Sequence, residues 1–340
     1  MSAALSCRRA RRDHRVISAV DQSPAGAPAP SSRRLAEVLD YLLVPTDSHA
    51  GATPAGFEGA VALAGDIRIE RLDQQLAERL LDAAEPRGED WEATRHFHAV
   101  HAYVRPVWSE ADGDAPDGLY HWDHEARLYP CLQLSRLIRD NATGTEFAVR
   151  RLIRADGSER LVPFSGFESH VAYRLHPDER GWLDVEEARE LAHLLDCFWQ
   201  DQPLSKRVGR ALRRVDLVTR ERYLEDALPI AVGGTESLLK VGRLSLKVQF
   251  ARRSSTLAAE LGIELTEARC RELYEDRSGL VHGAGVDLSE AQALDEFGRG
   301  FVALQETLRR AVRKAIEDRA FAAVFERDDS IEARFSIQED

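Results

Sequence analysis

The chain is poor in cysteine. Its four thiols, Cys7, Cys131, Cys197 and Cys270, lie more than sixty residues apart along 340 residues. No Cys-x-x-Cys pair exists, which excludes a thiolate zinc finger and a disulfide scaffold and points to a reducing, cytoplasmic compartment. Lysine is scarce as well: of 46 basic residues, only Lys206, Lys240, Lys247 and Lys314 are not arginine. No apolar run approaches the roughly 18–20 residues of a membrane span, so no membrane partner is expected. A phosphate-cradling glycine loop is also missing, since Val232-Gly233-Gly234-Thr235 lacks the lysine and spacing of a P-loop. Apolar residues are plentiful, at 44% beside 31% charged. That is the composition of a globular protein with real cores, and the length favours two domains.

The net charge of −12 is unevenly spread. Residues 1–34 hold seven Arg and two Asp (+5), and residues 35–202 hold 16 basic and 32 acidic residues (−16). Residues 203–320 hold 21 against 18 (+3), and the last twenty hold two against six (−4). A segment at −16 repels a nucleic-acid backbone, so any contact with nucleic acid falls to the C-terminal half.

These shifts divide the chain. Residues 1–34, with the cluster Arg8, Arg9, Arg11, Arg12 and a Pro/Ala/Ser-rich stretch, read as a disordered basic tail. Residues 35–202 mix the two periodicities. Val61, Leu63, Ile67 and Ile69 alternate like one strand, Gln74–Ala84 is helical, Arg95–Val104 alternates, 109–118 is a loop, and Ala126–Ile138 carries a helical stripe. Phe147–Ile153 and Arg160–Phe164 flank Ala155-Asp156-Gly157-Ser158, which is hairpin chemistry, and Asp184 with Glu187 opens a helix through a capping box. The segment is an α+β domain of unassigned fold, suited to sensing or regulation.

Residues 203–320 read as helix throughout. The stripes are Val208/Leu212/Val215, Leu224/Leu228/Val232 and Leu246/Phe250/Leu257/Leu261. A fourth helix is capped by Thr266 and carries Cys270 and Leu273, and a fifth starts at a Ser289/Gln292 capping box. The fifth holds a seven-residue repeat of Leu294, Phe297, Phe301, Leu304, Leu308, Ala311 and Ala315. Five helices with short connections make a compact bundle. Residues 321–340 are expected to be an acidic tail.

The segment richest in chemistry is Leu273-Tyr274-Glu275-Asp276-Arg277-Ser278-Gly279-Leu280-Val281-His282-Gly283. An Arg precedes a His by five positions at the end of a bundle helix that Gly283 can terminate. This string resembles the HEPN superfamily, and Tyr-x-x-Arg-Ser-x-x-Val-His-Gly is similar to its Apea-like subgroup. A Glu-bearing helix at Glu236 and an Arg-bearing one at Arg252-Arg253 precede it, and the resemblance covers roughly residues 203–318. It implies a dimer whose motifs face each other, RNA as substrate, no cofactor, and a role of the phage-defence or toxin type. Arg277 and His282 would be the catalytic pair, with Tyr274, Ser278 and Gly283 in support.

The residues make chemical sense of that implication. Arg277 keeps its charge and offers a planar fork of donors matched to phosphate oxygens, while a His can move a proton near neutrality. Together they suit attack of an RNA 2′-hydroxyl on the adjacent phosphate, with no metal required. On a regular helix, however, five residues separate the two by about 140°. Either the helix breaks near Gly279, or Arg277 reaches around, or a second protomer completes the site. Ser278, one turn before His282, is placed to orient the imidazole.

Two further groups stand out. Glu236 and Arg253 both sit on apolar stripes, and buried charges need partners, so they are expected to form a structural ion pair. His96, His98, His101, His121 and His124, with Asp123, form the other group. Imidazole and carboxylate can hold zinc, but no His-x-x-x-His pair occurs and strand histidines are ordinary, so no metal is expected. The function expected is a metal-independent endoribonuclease that is cytoplasmic and homodimeric through its helices. The alternatives are a non-catalytic HEPN module that binds RNA or protein as a dimerising scaffold, and an N-terminal metalloenzyme with a bundle for dimerisation.

Overall fold

The structure is a computed structural model and describes residues 35–47, 57–84, 97–107, 121–139, 148–163, 183–200, 204–221, 223–241, 246–283 and 291–337. The basic tail and the 109–118 loop lie outside these residues. An antiparallel sheet is followed by a helical region, so the fold is mixed, with an α+β N-terminal half and an all-helical C-terminal half.

The sheet is built on β1 (Leu35–Asp47), which pairs with β4 (Phe97–Pro106) on one side and β5 (Ala148–Arg154) on the other. With β2 (Ala60–Ala62), β3 (Arg68–Arg71) and β6 (Glu159–Pro163), the strand order is β2-β3-β4-β1-β5-β6. The Val61–Ile69 alternation is therefore two strands and not one. Leu63 N–H bonds back to Ile67 C=O, and Gly65 takes φ +71° in the turn between them. Alternation continues across that turn because both strands bury the same face. The hairpin β5–β6 forms as its turn chemistry dictates: Gly157 has φ +81°, and Asp156 Oδ1 accepts from the Ser158 N–H and hydroxyl.

Strand period two lets β1 serve two cores. Leu39, Tyr41 and Leu43 pack with Val104 and Val149 against Leu80 of α1 (Gln74–Ala84). Leu42 and Val44 face the other way, toward Leu128 and Leu132 of α2 (His121–Ile138) and Leu191 of α3 (Val185–Trp199). Asp40, 1% exposed, lies on that second face directly opposite Arg150, which grips it through two bonds of 2.6 and 2.8 Å. Helix α3 has the capping box that Asp184 and Glu187 foretell.

Five longer helices follow: α4 (Lys206–Arg220), α5 (Leu224–Leu239), α6 (Leu246–Glu260), α7 (Glu267–Val281) and α8 (Ala291–Glu317). Ser205 and Thr266 cap α4 and α7. The boundary expected at 203 does not separate two cores, and helix lies on both sides of it. One buried cluster runs from Leu128 and Leu132 through Val208 and Ala211 to Leu308 and Ala311.

The acidic tail expected over 321–340 is a second correction. Short helices α9 (Arg319–Val324) and α10 (Asp328–Arg334) bury Phe321, Phe325, Ile331 and Phe335 to 2% exposure or less. Four large apolar groups outweigh the solvated carboxylates between them. Among the described residues, no helix is long and apolar enough to cross a membrane.

Candidate functional site

Helix α4 is amphipathic in an unusual way. Val208, Ala211, Leu212 and Val215 are buried, and Arg207, Arg210 and Arg214 follow at i, i+3 and i+7 on the other side. The partner helix α5 approaches closely because of Gly234. A Cβ there would stand 2.6 Å from Leu308 Cδ2 and 2.9 Å from Arg214 Cβ. Gly234 thus serves helix packing, while a Cβ at Gly233 would meet open space. Its C-terminal half then presents Glu236, Ser237 and Lys240 beside the α4 arginines, and α7 adds Arg277. Together these residues line an open cleft of about 790 Å³. Five cations, Arg207, Arg210, Arg214, Lys240 and Arg277, face one carboxylate, Glu236.

Arg277 sits half-buried in this lining. Its Nη2 lies 3.9 Å from Glu236 Oε2, and its guanidinium carbon stands 5.8 Å from the centre of the Tyr274 ring, one turn earlier on α7. Tyr274 in turn donates a long 3.5 Å hydrogen bond to Glu236 Oε1 and packs against Phe250. Burial, reinforced by the Glu236 charge, raises the Tyr274 phenol above its ordinary value, so it stays a donor. Arg277 Nε is buried without a hydrogen-bond partner. A guanidinium paired only at 3.9 Å, at the wall of an open cleft, is an arrangement open to an anion.

The ion pair expected between Glu236 and Arg253 does not form. Arg253, 4% exposed, donates from Nη1 to the Leu239 carbonyl (2.9 Å) and Gln249 Oε1 (3.0 Å), and from Nε to the Phe335 carbonyl (3.2 Å). Burial lowers its pKa, with the carboxylates of Glu332 and Asp328 opposing. It ties α6 to the end of α5 and to the C-terminal helices. Glu236 belongs instead with Tyr274 and Arg277. Both charges lie on buried stripes, as periodicity implies, but a stripe does not say which neighbour each will meet.

Helix α7 is regular through Val281, so no break at Gly279 brings Arg277 and His282 together. His282 is the C-cap, its N–H bonding the Ser278 and Gly279 carbonyls at 3.2 and 3.1 Å, and Gly283 takes φ +80° to end the helix. Ser278 is half-buried, and its contribution to His282 is that backbone carbonyl. The His282 ring is exposed, as is Val281 beside it at 55%. Of the seven-residue repeat of α8, the Leu294 side chain lies outside the described residues, and Phe297, Phe301, Leu304, Leu308, Ala311 and Ala315 are all buried within the chain. Those six are not free to form an intermolecular seam.

Of the histidine cluster, His96 and the side chains of His98, His121 and His124 lie outside the described residues. His101 is buried on β4 with Nε2 3.1 Å from the Phe57 carbonyl. Among the described residues no group of three His, Cys, Asp or Glu gathers as a metal site. The α4 arginine row is the feature that sequence reading passes over, although its spacing opposite an apolar stripe was visible. No family model, curated protein or solved structure matches the chain.

Proposed function

We propose that the helical half is an HEPN-type endoribonuclease that cuts RNA without a metal, in the cytoplasm, as part of a phage-defence or toxin response. The observation that carries this reading is Arg277, half-buried and paired only at 3.9 Å with Glu236, in a cleft of five cations and one carboxylate. His282 takes the proton from a 2′-hydroxyl as that oxygen bonds to phosphorus. The bond to the 5′-oxygen breaks, the leaving oxygen takes a proton from solvent water, and the His282 imidazolium returns its proton to solvent. Arg277 stabilises the charge that grows on the phosphoryl oxygens. Glu236 and Tyr274 orient the guanidinium. Because α7 is regular, a homodimer in which a second copy completes the site is the arrangement that fits both residues. The sheet half, packed against α4, is suited to restrain the bundle until a trigger arrives.

The test is incubation of the full chain with total cellular RNA. Products should end in 2′,3′-cyclic phosphate, persist in EDTA, and fall at least about 10²-fold with Arg277→Ala or His282→Ala. Ends bearing 3′-hydroxyl would overturn the mechanism. A strict monomer by light scattering, cleaving at full rate, would remove the dimer. The exposed His282 favours one second reading, a non-cutting HEPN scaffold that holds RNA or protein, and a wild type that binds RNA without cutting it would establish that.

A further inference from the structure

We infer that the outward face of α4 is a track for the backbone of a single-stranded RNA, with Arg210 and Arg214 holding phosphates beside the one that meets Arg277. The inference rests on the nuclease reading for its direction, since α4 and α7 line one cleft.

The charge state of α4 is the first ground. It carries Lys206, Arg207, Arg210, Arg213, Arg214 and Arg220 against the single carboxylate Asp216. Asp216 is buried and engaged by Arg136 and Tyr129, so it neutralises nothing in the cleft. Arg207 is partly closed, bonding the Lys240 carbonyl at 2.8 Å and pairing with Asp328. The guanidiniums of Arg210 and Arg214 have no carboxylate or carbonyl partner among the described residues.

Spacing is the second ground. Seven residues from Arg207 to Arg214 span about 10 Å of helix, so the cations form a row and not a point. A lone inorganic anion meets one or two of them, whereas a chain of phosphates meets the whole row. Concave cationic walls also concentrate a polyanion more than a flat surface does. A flexible single strand suits the site better than a duplex, because 2′-hydroxyl attack requires the sugar to rotate into line with the leaving oxygen.

The test measures binding of a fluorescent 2′-O-methyl oligouridine, which cannot be cut, to the full-length protein from about 50 to 200 mM salt. The double variant Arg210→Ala/Arg214→Ala should flatten the slope of log affinity against log salt by about 1.4, two contacts at about 0.7 each. Lys206→Ala/Arg213→Ala removes equal charge from exposed positions of α4 that do not line the cleft, and should leave the slope unchanged. Equal flattening in both variants, or none in either, overturns the track. Displacement of the probe by inorganic phosphate at constant ionic strength, lost in the cleft variant, reassigns the site to a small anion. Cleavage of unmodified RNA is scored in parallel. A wild type that binds along the track but never cuts fails the nuclease reading alone, and one that cuts with slopes unmoved fails the track alone.

Discussion

On its inward side α4 carries Asp216, closed by the Arg136 guanidinium and by the Tyr129 hydroxyl at 2.8 Å. On its outward side the same helix carries Arg210 and Arg214, facing an open cleft. Arg136 has a fully buried side chain, and burial makes partners obligatory, because an ion removed from water without them costs several kcal/mol. At the cleft wall water satisfies the guanidiniums, so they can stay unpaired until a better acceptor displaces it. A charge closed by a carboxylate marks architecture in this molecule, and a charge left without one in a concavity marks the surface that can bind. The contrast recurs elsewhere: Arg150 with Asp40 and Arg139 with Glu187 are closed pairs in the sheet half, while Arg277 stands 3.9 Å from its carboxylate, Glu236.

The strongest test of this contrast is Asp216→Ala. It removes the carboxylate that pairs with the buried Arg136 guanidinium between α2 and α4 and should destabilise the protein by about 3–5 kcal/mol, read by urea denaturation. If the variant matches wild type, the inward face is as tolerant as the outward one and the contrast fails.

Next comes Gly234→Ala, which acts on the spacing between the two faces. Its Cβ would meet Leu308 and Arg214 below 3.0 Å, so α4 and α5 must separate or Leu308 must repack. A loss of about 1–3 kcal/mol in thermal unfolding is expected. Oligonucleotide binding should weaken with it, because the Arg214 side moves relative to Glu236. Lost stability with unaltered binding would mean that the cleft does not depend on that close approach.

Much of this arrangement was legible beforehand, and the reasons for the gaps are physical. The hairpin at Gly157, the capping box at Asp184, the cap at Thr266 and the five bundle helices follow from local rules, and local rules are written in neighbouring residues; the expected Ser289 capping box lies outside the described residues. Periodicity also places Glu236 and Arg253 inward, but each then chose among several neighbours. Arg253 found backbone carbonyls at Leu239 and Phe335, and the second of these belongs to a segment whose acidic composition hid its apolar spacing. Phe321, Phe325, Ile331 and Phe335 recur every four to six residues, a helical signal diluted by the carboxylates between them. The row Arg207, Arg210, Arg214 is also local, but α4 alone does not reveal that α5 and α7 make a cleft opposite it.

His101 carries the comparison into the sheet half with a smaller effect. Burial lowers its pKa, so on acidification the folded protein protonates it later than the unfolded chain does, whose imidazole takes up a proton below about 6.5. The unfolded state then binds more protons, and stability falls as pH drops below that value, by at most about 1.4 kcal/mol per pH unit. His101→Gln can still donate to the Phe57 carbonyl but cannot titrate, so its stability should be flatter between roughly pH 6.5 and 5.5. The lowered carboxylates, Asp156, Glu260 and Glu306, act at more acidic pH, and the raised Asp276 is common to both proteins, so the comparison isolates His101. Identical pH profiles for the two proteins would show that the buried imidazole does not set the slope.

The smallest expected effect is the most diagnostic. Arg210 is exposed on α4, two turns before Asp216, and has no partner among the described residues to lose. Arginine and alanine are both good helix formers, so Arg210→Ala should change stability by no more than about 0.5 kcal/mol. Relief of repulsion from Arg207 and Arg214, at i−3 and i+4, should make the change neutral or slightly favourable. Removing one charge from the outward face then costs almost nothing, while removing one from the inward face of the same helix costs several kcal/mol. A loss above about 1 kcal/mol in urea denaturation would place Arg210 among the structural charges, since ordinary surface substitutions stay within about half that. Stability unchanged, with weaker binding of the oligonucleotide, is the outcome that separates a cation kept for a ligand from one kept for the fold.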